Sequence, residues 1–140
     1  METPQKITVE ATINAPVSKT WNLWNSPEHI TKWYFASDDW HAPNAENDLR
    51  AGGNLKITMA AKDGSFQFDF EGIYTNVVEN ELIEYDIADG RKVKIIFTNK
   101  TGQTEIVETF EMEAQHPEEL QRSGWQAILN SFKKYAEENT

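Results

Sequence analysis

The stretch Pro117-Glu-Glu-Leu-Gln-Arg-Ser-Gly-Trp-Gln-Ala-Ile-Leu-Asn-Ser-Phe-Lys-Lys-Tyr135 decides the fold. Its Trp125, Ile128, Leu129, Phe132 and Tyr135 recur at spacings of three and four, which lines them up on one stripe of a helix. Pro117 stands where a helix tolerates proline, at its start. Glu118 and Glu119 follow in the first turn, and Lys133 and Lys134 come near the end, both arrangements that complement the helix dipole. The spacing predicts an amphipathic helix of about five or six turns. One apolar stripe has to be buried against a second layer.

The preceding residues supply that layer. Leu55, Ile57 and Met59 alternate with polar residues, as do Phe66, Phe68, Phe70, Gly72 and Tyr74, then Ile83, Tyr85 and Ile87, then Val93, Ile95 and Phe97, then Ile106, Phe110 and Met112. A period of two is the signature of half-buried strands. Asp63-Gly64, Asp89-Gly90 and Lys100-Thr101-Gly102 separate the runs as tight turns. Short turns imply hairpins, hence an antiparallel meander apolar on one face. The meander's inner face is the one large apolar surface available to the helix.

Further upstream, Ile7, Val9, Ala11 and Ile13 alternate as another strand. Pro16, Val17, Trp21 and Trp24 predict a short helix over 16–25, and Ser26-Pro27-Glu28 a second one ending near Trp33. Residues 34–53 carry a weak pattern, with a short strand expected over 46–50 and a turn at Gly52-Gly53. The expected architecture is α+β: a curved antiparallel sheet wrapped around a long C-terminal helix, with two short helices after the first strand, as one domain over residues 1–140.

Composition narrows the function. The chain of 140 residues has no cysteine, which excludes thiolate catalysis and thiolate metal sites and fits a reducing compartment. No basic-then-apolar start and no apolar run of membrane-spanning length are present, so a cytoplasmic location is expected. A net charge of -10 argues against nucleic acid and against an anionic membrane surface. There is no phosphate loop, nucleophile elbow or His-Glu-x-x-His. His29, His41 and His116 have no ligand spacing and read as surface histidines. No metal, cofactor or catalytic set is expected.

Specific residues resemble a known superfamily. Asn14-Ala15-Pro16 with Trp21 resembles the entry into the first helix of the START-like (SRPBCC) superfamily, whose architecture is the helix-grip fold. Pro27-Glu28 with Trp33 is similar to its second helix. Asp48-Leu49-Arg50-Ala51-Gly52-Gly53, Phe70-Glu71-Gly72 with Tyr74, and Gly124-Trp125-Gln126 with Ile128-Leu129 resemble one branch, the homologues of the activator of heat-shock protein ATPase. The resemblance implies a cavity between sheet and long helix. It also implies binding of a hydrophobic or amphipathic small molecule, cyclase or hydrolase activity, or assistance to a chaperone.

The rings point the same way. Five Trp, four Tyr and seven Phe exceed what a plain core of this size requires. Alternation aims Phe66, Phe68, Phe70, Tyr85 and Phe97 at the face that meets Trp125 and Phe132. Large rings that cannot all interdigitate leave an apolar cavity, the usual ligand site; the alternative is a filled core. Trp33, Trp40, Phe68, Phe70, Tyr85, Phe97 and Trp125 are the candidate lining, with Tyr85 and Glu108 as polar contacts. Glu108 shares its strand face with Ile106 and Phe110, so strict alternation aims a carboxyl inward, where burial would raise its pKa. A bulge that turns it outward, or a place near the sheet end beside Arg or Lys, is the other reading. Gly72 and Gly124 are candidates for close approach, Gly124 alternatively for a kink or a later helix start. Asp48 and Arg50 share one face of an extended segment, as partners of neighbouring strands or as a ligand gate.

The leading expectation is a non-catalytic domain holding a small hydrophobic or amphipathic molecule. A cyclase- or hydrolase-like enzyme using Glu108 and Tyr85 is the first alternative. A chaperone-cofactor or stress-response interaction module is the second. Monomer and homodimer stay open, the latter through an edge strand near Glu46.

Overall fold

The computed structural model describes residues 5–139. Its elements run β1 (Lys6–Ile13), α1 (Val17–Asn25), α2 (Pro27–Trp33), β2 (Trp40–Asn47), β3 (Asn54–Ala61), β4 (Gln67–Val78), β5 (Leu82–Ile87), β6 (Lys92–Asn99), β7 (Thr104–Glu111) and α3 (Glu118–Glu138). Seven strands form one antiparallel sheet in the order β1-β7-β6-β5-β4-β3-β2. Only β1 leaves the sequential order, because α1 and α2 carry the chain away before β2 begins. The sheet curls over α3, giving the helix-grip architecture read from the alternation.

The helix does not seat evenly. Leu129, Phe132 and Ala136, in the C-terminal half of α3, have no exposed surface. Trp125 and Ile128, one to two turns earlier, are only half-buried. Phe132 stands edge-on to Trp24 and Trp33, with ring centroids 4.8 and 4.7 Å away. Trp33 donates its indole N–H to the Leu23 carbonyl at 3.1 Å, so its one polar atom is satisfied. The rings of α1 and α2 thus clamp the far half of the helix, and the near half stands off the sheet.

Helix α3 also covers the free edge of β1. Gln126 Nε2 donates to the Glu10 carbonyl at 3.1 Å, and Lys133 Nζ to the Thr12 carbonyl at 2.6 Å. These bonds satisfy strand carbonyls that have no ladder partner, which removes an edge open to foreign strands.

Several expectations need correction. The strand expected over 46–50 lies earlier, at Trp40–Asn47. Residues 48–53 form the turn into β3 instead: the Arg50 and Gly53 amides donate to the Asp48 and Arg50 carbonyls at 2.9 and 2.8 Å. Gly52 takes a positive φ of 85°, and a Cβ on Gly53 would lie 2.0 Å from the Asp48 carbonyl oxygen. Asp48 and Arg50 therefore pair with each other at 3.0 Å, exposed on the turn, and not with neighbouring strands. Gly124 marks neither a kink nor a helix start, since α3 runs unbroken from Glu118. Nor is it a close approach, because an added Cβ would meet nothing within 4 Å. Phe66 is 58% exposed rather than inward, because β4 begins one residue later and Phe66 lies at the hairpin tip.

Candidate functional site

Two spaces lie between the sheet and the helices. The outer one is a groove of about 560 Å³ under the raised half of α3. Trp40, Met59, Phe68 and Phe70 form its sheet side, and Trp125, Ile128 and the bare backbone of Gly124 its helix side. Trp125 is held in place by stacking on Phe110, with centroids 3.9 Å apart and planes 10° apart. Phe70 meets Trp125 edge-on at 6.2 Å across the groove. Arg91, Glu113 and His116 are the polar groups able to carry charge at its lining.

The rim is stapled by one side chain. Gln121 accepts the Glu113 amide at 3.0 Å and donates to the carbonyls of Glu113 and His116 at 3.1 and 2.8 Å. It is buried, and it fixes the loop between β7 and α3. The sequence gives little warning of this role, since a glutamine in a first helical turn usually faces water.

The inner space is a small chamber of about 20 Å³. Trp24, Trp33, Tyr34, Tyr74, Tyr85 and Glu108 are among its walls. Tyr34 lines both the chamber and the groove and so forms the wall between them. It ends α2 and packs against Trp33 and Phe70, with centroids 5.3 and 6.0 Å away.

Glu108 faces this chamber. Strand β7 keeps unbroken register with both neighbours, Val9 and Ile95 standing opposite Glu108, so no bulge turns it outward. It is only 6% exposed. Burial pushes its pKa up to about 8, and among the described residues no hydrogen bond or nearby cation holds the charged form. At neutral pH it is a carboxylic acid with a proton to donate. Tyr85 is buried beside it, and burial also pushes the Tyr85 and Tyr34 hydroxyls upward, with the Glu108 charge adding to both. Tyr74 is committed elsewhere: its hydroxyl donates to Asn47 Oδ1 at 2.5 Å, and Asn47 Nδ2 donates to the Asn25 carbonyl at 2.7 Å.

Of the residues singled out in the sequence, Trp40, Phe68, Phe70 and Trp125 line the groove, while Trp33, Tyr85 and Glu108 line the chamber. Phe97 lines neither. It is a core residue, edge-on to Trp21 and Trp24 at 5.1 and 5.9 Å, because α1 packs over that end of β6. Sequence reasoning missed Tyr34, Met59, Arg91 and Gln121. Tyr34 sits at a helix end, where neither period applies. His29 meets the Tyr135 hydroxyl at 2.7 Å, His116 pairs with Glu113, and His41 lies exposed on β2. No three His, Asp or Glu side chains converge among the described residues.

A curled sheet that grips a helix and leaves a ring-lined groove beneath it defines a START-like helix-grip domain. The chain belongs to the family of Activator of Hsp90 ATPase homolog 1-like proteins, whose model matches residues 14–137. It is similar to the AHSA1-like protein from Aeromonas hydrophila, with 41% identity and a TM-score of 0.91 over 96% of this chain and 94% of that one. A protein from Cytophaga hutchinsonii is 60% identical, with a TM-score of 0.82 over 96% and 93% of the two chains. A Chromobacterium violaceum protein shares the fold at 21% identity, with a TM-score of 0.85 over 96% and 99%. No match was found among curated proteins. No helix among the described residues is long and apolar enough to cross a membrane.

Proposed function

We propose that this chain is a non-catalytic binding domain for a small hydrophobic or amphipathic molecule held between the sheet and α3. The observation that carries this is the groove of about 560 Å³, within the size range of small-molecule sites and walled mainly by apolar side chains, five of them aromatic. The absence of cysteine supports work in a reducing compartment such as the cytoplasm. The net charge of -10 supports a small ligand over nucleic acid.

Gly124→Leu tests the site. The new side chain enters the groove without touching existing atoms within 4 Å at its Cβ. It also removes a helix-interior glycine, which stabilises by about 1 kcal/mol. The expected result is a protein that melts higher on its own and no longer gains stability from apolar probes such as octane or octanol. Undiminished stabilisation of the variant by those probes places binding elsewhere.

Two other readings each have one supporting observation. A cyclase- or hydrolase-like activity is favoured by Glu108, a buried acid beside Tyr85. It calls for turnover that Glu108→Gln abolishes. A chaperone-related or stress-response contact is favoured by Phe66, Phe68 and Leu120, exposed at 58, 41 and 58%. Polar substitution of Phe66, which is not on the groove lining, would then weaken a protein complex without altering probe binding.

A further inference from the structure

The two spaces differ in chemistry, and the difference specifies the ligand's polar end. The groove is walled mainly by apolar side chains and carries Arg91, Glu113 and His116 on its lining. The chamber has no Lys, Arg, His or Asp on its lining; its titratable groups are Glu108 on β7, Tyr34 at the end of α2, Tyr74 on β4 and Tyr85 on β5. The neighbouring strands β1 and β6 bring Val9 and Ile95 opposite Glu108. Its volume of about 20 Å³ takes one water-sized atom.

Building on the binding reading above, we propose that the ligand ends in an uncharged carbonyl. Its oxygen passes Tyr34 into the chamber and accepts hydrogen bonds from Glu108 and Tyr85, while its apolar remainder lies in the outer groove.

The hydrogen-bond inventory supports this choice. A neutral carboxyl and a phenol each offer one O–H donor, and a carbonyl oxygen accepts two. A protonated acid paired with a tyrosine is an established way to hold a carbonyl oxygen. The Tyr74 proton is already given to Asn47, so it does not compete. A carboxylate head would enter a chamber without a cation. An ammonium head would require Glu108 to ionise among rings. Tyr34 is the residue common to both linings: its ring lies against Phe70 of the groove and against Trp33 of the chamber.

The test is a tryptophan-fluorescence titration with four probes of matched chain length: methyl hexyl ketone, octane, octylamine and octanoate. Trp33 and Trp24 report on the chamber, and Trp40 and Trp125 on the groove. At about pH 6 the ketone should bind about tenfold more tightly than octane. That advantage should disappear by about pH 9.5 as Glu108 ionises. Glu108→Gln, which keeps a donor, should retain the advantage and lose its pH dependence. Glu108→Leu and Tyr85→Phe should reduce it. A ketone no tighter than octane at low pH overturns the inference. So does an advantage that passes to octylamine, or one that passes to octanoate and depends on Arg91. In each of those cases octane still binds, and the groove reading stands. If none of the four probes binds, the groove reading falls and the inference falls with it.

Discussion

Gly72 leaves the space that the Tyr85 ring fills: a Cβ built on Gly72 would stand 2.8 Å from Tyr85 Cδ2 and 3.3 Å from the Asp86 carbonyl oxygen. The two residues lie on adjacent strands, with Tyr74 directly opposite Tyr85. The missing side chain lets Tyr85 lie over β4, its ring 6.0 Å from that of Tyr74 and 6.3 Å from that of Phe70. Gly72→Ala should cost about 1–3 kcal/mol, the range for overpacking a core. Urea unfolding measures this, and an unchanged midpoint would show that the ring yields freely.

Glu108 sets a pH dependence. Its folded pKa of about 8 lies above the ordinary 4.5, so the folded state holds the proton more tightly than the unfolded one. Its contribution is neutral below about 4.5; stability then falls as pH rises through that window and levels off above about 8. The ionised group costs on the order of 5 kcal/mol. Glu108→Gln should match the wild type near pH 4.5 and be the more stable protein near pH 8. Denaturant melts at both pH values decide it, and parallel wild-type and variant curves would refute a buried acid.

The uneven seating of α3 separates stability from binding. Phe132→Ala empties a fully buried ring site and should cost about 3–5 kcal/mol. Trp125→Ala removes a half-buried ring and its stack on Phe110, so it should cost less. It should also weaken binding of octane or methyl hexyl ketone more than any other groove substitution. Thermal melts with and without probe compare the two variants, and equal stability losses would contradict the raised half of the helix.

Gln121→Ala cuts the staple between α3 and the rim. Three part-buried hydrogen bonds to the backbone are lost, for about 1–3 kcal/mol in total. Amide exchange at Glu113 should speed up relative to the β7 ladder. Protection equal to wild type would mean that the loop holds itself.

Much of this was legible before the structure. Alternation in Ile106, Glu108 and Phe110 placed Glu108 inward, and the structure keeps it there. The same rule failed for Phe66, which lies at a hairpin tip with no layer above it. It held for Phe97, which is buried on the inner face, but there α1 lies over it and rings fill the space. The strand at Trp40–Asn47 escaped because its His41, Pro43, Asn44 and Glu46 give no apolar alternation. Its register comes from pairing with β3.

The sequence by itself determined every element but β2, their order and the gripped helix, because helical and strand periods are local and repeat along the chain. Only the tertiary structure decided that the helix stands off at one end, that Tyr34 lies between the outer groove and the inner chamber, and that Glu108 meets no cation among the described residues. Those facts depend on which side chains from distant strands and helices converge, and no period in a single chain records that.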